Sequence, residues 1–137
     1  MALQFLLDTN IVSYFLSNKP PEVRHRISRI DPDVVAISAV TEAELRHGLA
    51  NRPTAIQHRI PVERFLTDAT VLPWDSAAAR TYGSLRANQV RKGLPLSTED
   101  LFIAAHALSL NLTLITHDAA FSFIDGLKTE DWTVAQG

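Results

Sequence analysis

The chain has 137 residues, 46% hydrophobic and 20% charged, with a net charge of −2; this suits one cored domain over 1–137 and excludes global disorder and a protein that coats nucleic acid through bulk charge. It holds no cysteine, which excludes a disulfide framework, a zinc–thiolate site and a thiol nucleophile, and fits a cytoplasmic location. No apolar stretch approaches the roughly 18 residues that span a bilayer, and the short apolar start lacks the basic flank and cleavage site of a signal peptide.

Residues 2–7 predict a buried strand, and Asp8-Thr9-Asn10 then opens a helix to about Leu16. Asn18 to Pro21 is a break, and Pro21 suits the first turn of a second helix over 21–30. Val34–Ile37 reads as a short strand. Ser38 or Thr41 caps a helix through about Ala50, and another helix follows over 54–68, with Pro61 as a kink or break. Val71-Leu72 is a short strand. A helix over 76–92 ends at Gly93, and Ser97 or Thr98 caps a helix to about Leu110. Leu112–Thr116 is a buried strand, residues 118–124 a short helix, and Trp132–Val134 the last strand. This alternation predicts an α/β fold: a central, mostly parallel sheet of about four to five strands with helices on both faces. Ligands bind beyond the C-terminal strand ends of such sheets. Asp8 directly follows the first strand and Asp118 lies just past the late strand, so they share one structural address.

A carboxylate between the apolar runs of "QFLLDTNIVSYFL" is unfavourable unless compensated. In "STEDLFIAAHAL", Asp100 falls within about 40° of Ala104 and Ala107 around the helix, inside the apolar stripe, while Glu99 turns toward the polar side. Asp100 also sits in the first turn, where an aspartate serves equally as a cap for backbone N–H groups. "ISAVTEAELRHGL" offers Glu42 and Glu44, which face opposite ways; the helical wheel does not choose between them. In "LTLITHDAAF", Asp118 caps a turn or joins the site, and His117 is a ligand, a base or a plain surface residue. Asp8, Asp100, Asp118 and one early glutamate converge at one sheet edge. Ionised carboxylates share a small site only if a cation neutralises them, and a hard, oxygen-ligated Mg²⁺ or Mn²⁺ does so.

The order "LLDTNIVSYFL … ISAVTEAELRHGL … STEDLFIAAHAL … LTLITHDAAF" resembles the PIN-domain ribonucleases, and within them the VapC toxins of bacterial VapBC toxin–antitoxin pairs. The likeness runs through the closing "GLKTEDW" at 126–132. It implies a PIN-like fold and a magnesium-dependent endoribonuclease whose catalytic acids are Asp8, Glu44, Asp100 and Asp118. Glu44 is chosen over Glu42 by the E-L-x-x-G pattern. Asp8, Asp100 and Asp118 would hold metal, with Thr9, Asn10 and Thr116 in support. Where many members carry asparagine before the fourth acid, this chain has His117. The resemblance also implies inhibition by a VapB-type antitoxin covering the active-site groove, a homodimer, and an RNA substrate. The closing segment is similar to that of a subgroup that cuts initiator tRNA.

Residues 76–93 hold Arg80, Arg86, Arg91 and Lys92 and no acid. These four, with Arg46, are candidates for contacts to RNA phosphates; a solvated helix face is the alternative. A phosphohydrolase or phospho-acceptor with Asp8 as nucleophile is a rival reading, but the haloacid-dehalogenase pattern needs a second aspartate where Asn10 stands. A catalytically silent binding module is another rival, and the presence of all four acids argues against it.

Overall fold

The computed structural model describes residues 2–52, 54 and 56–135. Among them, β1 (Phe5–Leu7), β2 (Val35–Ser38), β3 (Val71–Leu72), β4 (Thr113–Ile115) and β5 (Thr129–Glu130) form one sheet in the order β3-β2-β1-β4-β5. Every pairing is parallel, with Leu7 opposite Ile37 on one side and Ile115 on the other. Six helices cover it: α1 (Thr9–Ser17), α2 (Pro21–Ser28), α3 (Ala39–Asn51), α4 (Ile56–Asp68), α5 (Ser76–Lys92) and α6 (Thr98–Ser109). None is long and apolar enough to cross a membrane among the described residues.

The pleat divides the core in two. Leu6, Ala36 and Leu114 point to one face and pack with Leu85 of α5 and with Leu101, Ile103, Ala104 and Ala107 of α6. Their neighbours Leu7, Ile37 and Ile115 point to the other face and meet Ile11, Val12, Val23, Leu45 and Leu66. Side chains alternate across a strand, so a parallel sheet covered on both faces needs continuous apolar runs. "FLL", "VAI" and "TLI" are such runs, which is why they become the three central strands.

Local chemistry sets most helix ends. Ser38 caps α3 and Ser97 caps α6, so the earlier serine is used at each of the two ambiguous starts. Asn18 and Gly93 end α1 and α5 in left-handed conformation (φ 57 and 65). Three expectations change. Pro61 does not break its helix: it lies inside α4, which runs from Ile56 to Asp68, so of the two expectations the break is not made. The expected start of that helix includes Ala55, which lies outside the described residues. The short helix expected over 118–124 is a 3₁₀ turn, Ala119–Phe123, and a second one, Pro32–Val34, precedes β2. The last strand is Thr129–Glu130, not Trp132–Val134. Trp132 follows it in a turn and is only 1% exposed. Its ring meets Phe5 edge-on at 5.1 Å and lies under the Arg26 guanidinium at 5.3 Å. Its apolarity therefore serves packing by a turn residue.

Candidate active site

From β1 the chain proceeds outward to β2 and β3 on one side, while β4 and β5 lie on the other. Strand order therefore reverses between β1 and β4, and in open α/β sheets ligands bind beyond the C-terminal strand ends at such a switch point. Asp8 and Thr116 are the first residues past those ends. The ladder continues into them: Asp8 N–H donates to Ile115 O (3.0 Å) and Thr116 N–H to Glu130 O (2.9 Å).

Asp8 is 6% exposed and Thr116 4%. Burial pushes the Asp8 carboxyl up from 3.8 to about 6; hydrogen bonds from Thr116 and the Ile11 N–H oppose the rise, and the charges of Asp100 and Asp118 add to it. The structure thus brings Asp8, Asp100 and Asp118 within electrostatic reach of one another. Each aspartate accepts a local backbone N–H on one oxygen: Asp8 Oδ1 from Ile11 (2.8 Å), Asp118 Oδ1 from Ala120 (2.9 Å), Asp100 Oδ2 from Ser97 (3.3 Å). The capping reading of Asp100 is thus correct as geometry, for Ser97 and Asp100 form a reciprocal capping box at the start of α6. Capping orients each carboxylate without using both of its oxygens. Asp100 is half-buried, Glu99 exposed, and Asp118 exposed at the rim.

Glu44 and Glu42 separate cleanly. Glu44 Oε1 accepts the Thr9 hydroxyl at 2.7 Å, and Thr9 Oγ1 also meets Thr41 Oγ1 at 3.1 Å. Glu44 is therefore tied to the residue beside Asp8. Glu42 instead pairs with Arg46 at 2.8 Å. Asn10 is exposed and brings no hydrogen bond to the acids among the described residues.

The donor set is all hard oxygen: carboxylates and hydroxyls with no thiolate. Among the described residues no three Asp, Glu or His side chains close into a ready-made ligand cluster. The set therefore fits a hydrated hard cation resting on one or two carboxylates, as Mg²⁺ prefers, rather than a protein cage. Asp8 with Asp100 or Asp118 would supply those ligands.

The basic candidates are scattered by the fold. Arg86 donates to Tyr82 Oη (2.8 Å) and Thr98 Oγ1 (3.3 Å), which places its guanidinium at the start of α6, two residues from Asp100. Arg80 donates to Ser76 Oγ, Lys92 pairs with Asp125 at 2.9 Å, and Arg46 also approaches Glu63 at 3.7 Å. Arg91 is exposed.

Contacts around the site that sequence reasoning did not single out come from distant segments. His117 Nδ1 meets Asp131 Oδ2 at 2.8 Å and Thr133 Oγ1 at 3.1 Å. Burial pushes the Asp131 carboxyl up, but bonds from Thr133 and His117 outweigh it and hold the group below its ordinary value. Ser38 Oγ meets His106 Nδ1 at 2.8 Å while it accepts the Val40 N–H, joining the start of α3 to α6. Burial holds the His106 imidazole below its ordinary value. The "TEDW" segment was the one sequence signal for the first of these clusters.

Residues 5–127 match the family profile described as PIN domain. The chain is 37% identical over 132 residues to a tRNA(fMet)-specific endonuclease VapC from Shigella flexneri, covering 96% of this chain and 99% of that protein. It superposes on DNA-bound VapBC from Salmonella typhimurium with a TM-score of 0.87 at 35% identity, over 95% of this chain and 98% of that one. VapBC2 from Rickettsia felis, bound to a promoter DNA fragment, superposes at 0.85 with 29% identity, over 96% and 99%.

Proposed function

Because the chain belongs to the PIN-domain family, as one of its VapC ribonucleases, we propose that it is a magnesium- or manganese-dependent endoribonuclease that hydrolyses a phosphodiester of a structured RNA. The observation that carries the reading is Asp8: a buried carboxylate whose pKa is pushed up to about 6 by burial and by two neighbouring aspartates. An arrangement that opposes ionisation in the free chain favours a bound cation. When bound, Mg²⁺ or Mn²⁺ supplies a water of lowered pKa as nucleophile and neutralises charge on the phosphate.

The chain's own groups do the rest. Asp8, fixed by Ile11 N–H and Thr116, presents its carboxylate at the C-terminal end of β1. Asp100 and Asp118 flank it from α6 and from the loop after β4. Glu44, held through Oε1 by Thr9, leaves Oε2 to accept the proton released by the attacking water. Arg86, at the start of α6, meets the RNA backbone. No histidine is required for the hydrolysis, and the products carry 5′-phosphate and 3′-hydroxyl ends. The Shigella relative's name specifies tRNA(fMet), and a tRNA is the substrate class proposed here.

A second surface supports an antitoxin partner. A cavity of about 560 Å³ opens between α1, α2 and α4, lined by Phe15, Leu16, Ile27, Ile60 and Phe65, with Arg24 and Arg64 also in its wall. Tyr14, Phe15 and Leu16 are all half-buried against the core, so their packing role and this groove coexist. An apolar segment of a VapB-type antitoxin fits there, in keeping with the VapBC complexes that share the fold.

The experiment is to map RNA ends after incubating the purified chain and its Asp8→Ala variant with bulk tRNA and Mg²⁺. Discrete new 5′-phosphate ends with the natural chain and none with the variant support the reading. Equal cleavage by Asp8→Ala overturns it.

A further inference from the structure

Thr41 lies in the first turn of α3 and is fully buried, at 0% exposure. Glu44 stands three residues further along the same helix, so the two side chains share a face. A buried hydroxyl needs a partner, and on a helix the ordinary one is a carbonyl one turn back. Thr41 makes no such bond among the described residues; its Oγ1 meets Thr9 Oγ1 instead, at 3.1 Å, from a residue 32 positions earlier. Counting protons gives that contact its direction. A threonine hydroxyl carries one proton, and Thr9 gives its own to Glu44 Oε1 at 2.7 Å. Thr9 therefore accepts from Thr41, and Thr41 is the donor. The three side chains form a one-way series, from Thr41 to Thr9 to Glu44, that starts on a fully buried hydroxyl and ends on a carboxylate.

A hydroxyl without such a donor rotates to suit whatever acceptor is near, water included. With Thr41 donating to its oxygen, the Thr9 hydroxyl is held in the rotation that gives its proton to Glu44 Oε1. The other oxygen of Glu44, Oε2, takes no hydrogen bond among the described residues. Resting on the ribonuclease reading above, we infer that Thr41 is a further positioning residue for RNA hydrolysis: through Thr9 it holds Glu44 by Oε1 and keeps Oε2 free for the attacking water. Thr41 is buried and touches neither RNA nor the reacting atoms, so it acts on turnover rather than on RNA binding. Valine at 41 keeps the branched shape and loses the donor; serine keeps the donor and loses a methyl group.

The test uses the full chain, an RNA oligonucleotide spanning its mapped cleavage site, and kcat and KM measured separately. Thr41→Val lowers kcat by roughly 3- to 10-fold, the worth of one neutral hydrogen bond, and leaves KM unchanged. Thr41→Ser recovers most of that loss. Thr9→Val lowers kcat at least as far as Thr41→Val, and adding Thr41→Val to it brings no further fall, because the series is already broken. A defect of packing around α3 would instead multiply with Thr9→Val. Thr41→Ala is carried alongside, with urea unfolding of every variant, so that a folding fault of valine at 41 does not decide the outcome. Full kcat in both Thr41→Val and Thr41→Ala, losses that multiply with Thr9→Val, or a Thr41→Ser no better than Thr41→Val overturns the role of Thr41 and leaves the ribonuclease reading standing. Absence of any cut by the natural chain instead overturns the ribonuclease reading, and this inference with it.

Discussion

Asp8→Asn is expected to disable the site while making the metal-free protein more stable. A carboxyl whose pKa is raised on folding holds its proton more tightly folded than unfolded. The folded state therefore loses stability as pH rises from the unfolded value of 3.8 through about 6, and the penalty is complete above that. At about 1.4 kcal/mol per pH unit, the displacement corresponds to about 3 kcal/mol at neutral pH. Asp8 is 6% exposed, so solvent screens little of this. Asparagine keeps the cap on Ile11 N–H through its amide oxygen and carries no charge, so most of the gain survives. Urea unfolding followed by circular dichroism, in EDTA, should place Asp8→Asn about 2–3 kcal/mol above the natural chain at pH 7.5, at an unchanged m value, with the two converging near pH 4. An Asp8→Asn protein no more stable at pH 7.5, or a gap as wide at pH 4, would refute the picture of a charge held against its own interest.

Two further outcomes follow from the placement of side chains. Arg86→Ala should weaken RNA binding and flatten the slope of log K against log salt by about 1, whereas Lys92→Ala, whose ammonium faces Asp125 at 2.9 Å, should leave both nearly unchanged; nitrocellulose filter binding across a salt series separates them. Ile60→Glu puts a charge on a 58% exposed side chain of the apolar groove; calorimetry should show antitoxin binding weakened by roughly tenfold or more, with RNA cleavage by the free chain unchanged.

What was legible in the sequence follows the range of the interactions that decide it. The three central strands are apolar runs that only a doubly covered sheet accommodates, so the runs alone place Asp8 and Asp118 at strand ends on one edge. Asp100 was legible from its angle within the apolar stripe of α6. The choice between Glu42 and Glu44 was not, because it rests on the Thr9 hydroxyl, 35 residues before Glu44. The resemblance selected the residue that this bond singles out. The basic run read as one face, but its members part ways through contacts with Ser76, Thr98 and Asp125 that no local spacing encodes. Trp132 misled because burial of an aromatic in a turn leaves the same mark as a strand. Asp131 escaped notice because its partner, His117, is reached only after β5 has returned the chain to the same edge of the sheet.

Mn²⁺ binding tests most directly the proposal that a divalent cation compensates Asp8. Titration of the purified chain with Mn²⁺, read by loss of the free-ion paramagnetic signal, should show a saturable site that Asp8→Asn removes and that Mg²⁺ competes for. A natural chain that binds no Mn²⁺ at millimolar concentration, or an Asp8→Asn variant that binds it equally well, would contradict a cation held by Asp8.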